Sequence, residues 1–144
     1  MNSEHELQLQ KLYKLSRQQL SELVFFDDEV KFLKSLFDKK FLALLKDIHV
    51  NRAQMINSEL YQLNMVKVNI TADVLKHQGN LQSKIKNLLP KSIDFLQLEN
   101  GRIEDEIKDL NKHFKKIKKE IFLIYKDITG AELAINSNTH PVKN

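Results

Sequence analysis

Asp73 and His77 stand four residues apart, the spacing at which two side chains on one helical face can share a metal ion. If the chain folds back near His49 and again near Pro90, Asp27 and Glu106 fall at about the same height. Asp27, Asp73, His77 and Glu106 are therefore the candidate metal-binding group. Di-metal sites in helical bundles repeat Glu-x-x-His on two helices, and this chain contains no Glu-x-x-His. Asp109 and His113 repeat the four-residue spacing, but the helical register points Asp109 outward. The competing reading makes these acids and histidines ordinary capping and ion-pair residues beside a core, because a buried charge must be paired.

His49 and His77 are also the positions where protonation near neutral pH would alter charge inside the fold. No Gly-rich phosphate loop, Gly-x-Ser-x-Gly or His-Glu-x-x-His motif is present. With no Cys among 144 residues, thiolate metal sites, disulfides and a thiol nucleophile are excluded. The expectation is a non-enzyme without a cofactor.

The run from Lys112 to Lys119 suggests an anionic partner, since the net charge is +4. Helical register places Phe114 and Ile117 in the core seam, leaving Lys112 and Lys119 opposite it and Lys115 and Lys116 on its flanks. That is a solvated face. The basic residues are nearly all Lys, with Arg only at 17, 52 and 102, and Arg is the better bidentate phosphate and base reader. Lys112, Lys115, Lys116 and Lys119 thus define a subsidiary nucleic-acid reading. No segment approaches the ~18 uninterrupted apolar residues of a membrane span, and Met1–Glu6 has no signal-peptide character. A cytoplasmic location is expected.

These side chains must be positioned by long helices. From Ile93 an apolar stripe continues through Leu96, Asn100, Ile103, Ile107, Leu110, Phe114, Ile117, Ile121 and Ile124 to Ile128 in steps of three and four. Equivalent stripes run from Leu9 through Tyr13, Ser16, Leu20 and Leu23 to Leu44, and from Ala53 through Val66 and His77 to Leu88. Ser3 with Glu6 forms a capping box, and Ser92 caps the last helix with Asp94 in its first turn. Weak helix formers at Asp47–Asn51 mark the first turn, and Pro90 the second. The predicted architecture is all-α, an antiparallel up-down-up bundle of three long helices, roughly 4–46, 52–89 and 92–129. A four-helix bundle with breaks near Gly79 and Gly101 is the alternative, opposed by stripes that keep phase across both glycines. Residues 1–130 form one domain and 131–144 a flexible tail.

Phe122, Leu123 and Tyr125 flank the last stripe where polar residues are expected, and the first turn brings Phe37 and Phe41 to that end. Such an apolar surplus suits a helix covered on two sides. These five residues are the candidate surface for a protein partner or a second copy. The segment Phe25-Phe26-Asp27-Asp28-Glu29-Val30-Lys31-Phe32-Leu33-Lys34-Ser35-Leu36-Phe37 resembles a pattern in small, uncharacterised bacterial helical-bundle proteins. The resemblance implies a bacterial origin and transfers no functional residue.

Overall fold

A computed structural model describes residues 3–41, 47–87 and 92–139, with side chains at 3–39, 49–87 and 92–127. Three helices, α1 (Ser3–Leu36), α2 (Asp47–Ile85) and α3 (Ile93–Thr139), carry the fold, and a short π-helical segment, Phe37–Phe41, extends α1. All three pairs of helices pack together. Contacts of Ser16 with Gln78 and of Asp27 with Lys67 run α1 antiparallel to α2. Those of Gln19 with Glu104 and Glu29 with Lys118 make α1 parallel to α3. The predicted up-down-up bundle is the fold.

The stripes become the core as expected of a 3.6-residue repeat. On α3, Ile93, Leu96, Ile103, Ile107, Leu110, Phe114, Ile117, Ile121 and Ile124 are all buried. Phe114 meets Phe26 edge-on, with ring centroids 5.0 Å apart, inside the larger apolar cluster. On α1 the buried set is Leu9, Leu12, Ser16, Gln19, Leu23, Phe26 and Val30, so Tyr13 and Leu20 lie half-exposed beside the seam rather than in it. On α2, Val66 and Ile85 are exposed, although the stripe places both inward. One-residue rotations of this kind arise because a helix contacted from two sides buries an arc wider than one seam.

The turns fall earlier than local propensity suggests. Asp47–Asn51 is the first turn of α2, not a loop, so His49 sits on a helix. The first helix leaves regular geometry at Phe37, where the π-helical turn begins, and the residues joining it to α2 lie among 42–46, outside the described residues. Phe37 is fully buried and belongs to the same apolar cluster as Ala53, Ile56 and Ile124. Packing there outweighs the modest propensity penalty of Asp47–Asn51. At the other end α2 stops at Ile85, and Asn87 takes the left-handed conformation (φ 60°) with its N–H donating to the Lys84 carbonyl at 2.9 Å. Asn tolerates that conformation better than other side chains, so it ends the helix before Pro90 can. Ser92 Oγ accepts the Phe95 N–H at 3.3 Å, the predicted cap.

Neither Gly79 nor Gly101 breaks a helix. A Cβ at either position would meet nothing within 4 Å, so both glycines face open space. The backbone of α3 stays helical to Thr139, nine residues beyond the expected stop at Gly130. Among the described residues no helix is long and apolar enough to cross a membrane.

Candidate functional site

The four proposed metal ligands are divided among three separate contacts, and only Asp73 and Glu106 meet one another. Asp27 is held between Lys31 (2.8 Å) and Lys67 (2.6 Å), and these two ammonium groups keep its carboxyl below the ordinary carboxylate range. Asp73 lies beside Glu106, whose carboxyl is pushed up by burial and then by the Asp73 charge and hydrogen bond. His77 turns to Glu99 instead, its Nδ1 2.6 Å from Glu99 Oε1. Among the described residues no three His, Cys, Asp or Glu side chains are grouped as a metal ion requires. The physical reason is the position of the first turn. Because the chain reverses before Asp47, α1 slides along α2 by about one helical turn and sets Asp27 opposite Lys67, well away from His77.

What the fold assembles in place of that group is a polar layer crossing all three helices. Ser16, Gln19, His77 and Glu99 are the buried polar residues of the core, and they lie together between its two apolar clusters. Leu9, Leu12, Leu81, Ile93 and Leu96 form the smaller cluster on one side, and Leu23 and Ile103 begin the larger on the other. Gln19 Nε2 donates to Asn100 Oδ1 and Glu104 Oε1, both at 2.8 Å. Gln78 Nε2 donates to Ser16 Oγ at 3.1 Å, and Ser16 Oγ donates to the Tyr13 carbonyl at 2.6 Å. Glu99 is the hub. Its Oε1 accepts from His77 Nδ1 and its Oε2 from Asn80 Nδ2 at 2.9 Å. With Nδ1 of His77 turned to Glu99, its Nε2 points into the core without a hydrogen-bond partner.

Apart from the Ser16–Tyr13 bond within α1, every bond in this layer joins defined heights on different helices, so sliding one helix by a turn would strand buried polar atoms. The layer is a register device. Ser16, His77 and Asn100 each stand on a stripe in the sequence, whereas Gln19 and Glu99 are missed because Leu20 and Asn100 occupy the neighbouring seam positions. The available signal is that all three stripes carry a polar residue, and at one common height once the helices are aligned.

Phe37, proposed for an interaction surface, is wholly inside the core, as a member of the larger apolar cluster. The Phe41 side chain lies outside the described residues. Phe122, Leu123 and Tyr125 are exposed as expected, with Lys126 5.7 Å above the Phe122 ring. Lys112, Lys115, Lys116 and Lys119 are exposed, while neighbouring Lys118 lies 4.6 Å over Phe114 and 3.9 Å from Glu29. A groove of about 280 Å³ between α2 and α3 is lined by Glu59, Val66, His113 and Lys116. Burial, and then the nearby Glu120 carboxylate, push the Glu59 carboxyl upward there. No known protein-family model, curated protein or solved structure matches this chain.

Proposed function

We propose that the chain is a non-enzymatic helical-bundle interaction module that associates with itself. The observation carrying this reading is the apolar surface left over after the core is complete. Leu98, Phe32, Tyr61 and Phe122 are each more than half exposed, on a bundle whose interior already holds two apolar clusters. Large apolar side chains left exposed on all three helices are surface that a partner can cover. The polar layer supports the same reading. A bundle held in one register presents its outer faces as rigid surfaces, which lowers the ordering cost of binding. Light scattering on the eluting protein, from micromolar to millimolar loading, tests the idea. A mass rising from one chain to two is expected, and a constant single-chain mass would refute it.

A further inference from the structure

We infer that the outer face of α2 is the self-association surface, two copies packing α2 against α2 in antiparallel orientation about a two-fold axis. This deepens the self-association reading above and rests on it. On the side of α2 away from the core, Tyr61, Met65, Val68, Ala72, Leu75 and Gly79 recur in steps of four and three, a second heptad seam. Tyr61 is 67% exposed, Met65 45%, Val68 47% and Leu75 54%, so the seam has no partner among the described residues.

Charge separates this face from the other apolar ones. Among the exposed residues between Asn51 and Gln82, Lys76 alone is charged, in a chain that is 29% charged overall. Depletion of charge at the centre of a surface is the compositional mark of an interface. The alternatives lack it. Phe32 on α1 adjoins Lys31 and exposed Asp28-side polar positions, and Phe122 on α3 stands among Lys118, Lys119 and Lys126.

The seam is self-complementary when read against itself in reverse. Pairing a with d positions across an antiparallel two-fold sets Tyr61 over Gly79 of the second copy, Met65 against Leu75, and Val68 against Ala72. The largest side chain meets the residue with none, at a glycine where nothing lies within 4 Å of the Cβ position. On the flank, Lys76 faces Gln62 and Asn69 faces its own copy, so no like charges meet. The four large seam residues expose roughly 400 Å², so the ~800 Å² per partner of a standard interface takes in the exposed flanking residues Gln62, Asn69, Ala72 and Lys76 as well.

Because the chain has no Cys, single Tyr61→Cys and Gly79→Cys variants can be mixed and oxidised in an otherwise thiol-free background. The expected product is the Tyr61→Cys/Gly79→Cys heterodimer, in clear excess over either homodimer, as read by non-reducing gel and mass spectrometry. Val68→Glu, at an exposed site that leaves helicity unchanged by circular dichroism, is expected to weaken dimerisation at least tenfold. Phe122→Ser is expected to leave it intact. A dimer that survives Val68→Glu but is lost in Phe122→Ser overturns this placement while sparing self-association. A predominance of Tyr61→Cys homodimer overturns the antiparallel arrangement. A wild-type chain that stays monomeric to millimolar concentration overturns both the placement and the function it rests on.

Discussion

Removing the His77 imidazole tests whether the polar layer is built from mutually dependent hydrogen bonds. His77 is fully buried and Glu99 is 8% exposed. A His77→Leu substitution fills most of the volume, so the cavity penalty is small. It leaves Glu99 Oε1 without its donor and only Asn80 on Oε2. Stranding one member of a buried pair costs about 3 kcal/mol or more. For a chain of this length that corresponds to a fall in Tm of roughly 10 °C. Replacing both partners, His77→Leu with Glu99→Leu, removes the stranded carboxyl and is expected to return stability to within about 1 kcal/mol of wild type or above it. Asn80, half-buried, then turns to water. The assay is urea unfolding followed by circular dichroism, with all four members of the cycle at one protein concentration so that self-association contributes equally. Single substitutions whose costs simply add in the double variant, or a His77→Leu cost below about 1 kcal/mol, would refute the coupled layer.

Three further outcomes follow from the same geometry. Asp27→Asn removes the carboxylate shared by Lys31 and Lys67 and is expected to cost about 1 kcal/mol at pH 7. Since the folded carboxyl titrates below its ordinary value, that stability is present above pH 3.8 and is lost as pH falls through the lowered value, so the wild-type advantage over the variant disappears in acid melts. Glu106→Gln acts in the opposite sense. Burial and Asp73 raise the Glu106 carboxyl, so wild-type stability declines as pH rises through that raised value, and the variant should melt higher at pH 7 but not at pH 4. Gly101→Ala, on an exposed helical face with open space around the new methyl, is expected to stabilise the protein by about 0.5–1 kcal/mol in thermal melts.

Helix identity, the apolar stripe of α3 and the Ser92 cap were all legible in the amino-acid sequence. Each is written in residues within four positions of one another, the range over which a helix makes its own hydrogen bonds and side-chain contacts. Gly79 and Gly101 were rightly read as tolerated, because the stripes keep phase across them. Heights between helices were not legible. They depend on where the chain reverses, and the core around Phe37 and Ala53 overrode the weak propensity of Asp47–Asn51. That displacement of about one turn separated Asp27 from Asp73 and His77 and gave it to Lys67, while across α2 and α3 Glu106 stayed beside Asp73 and His77 turned to Glu99. The sequence by itself therefore determined which residues are helical and, to within about one position, which of their faces are apolar. The tertiary structure alone decided which polar residues share a layer and which apolar face of α2 is left uncovered, because those are contacts between segments dozens of residues apart, set by packing and loop length rather than by local periodicity.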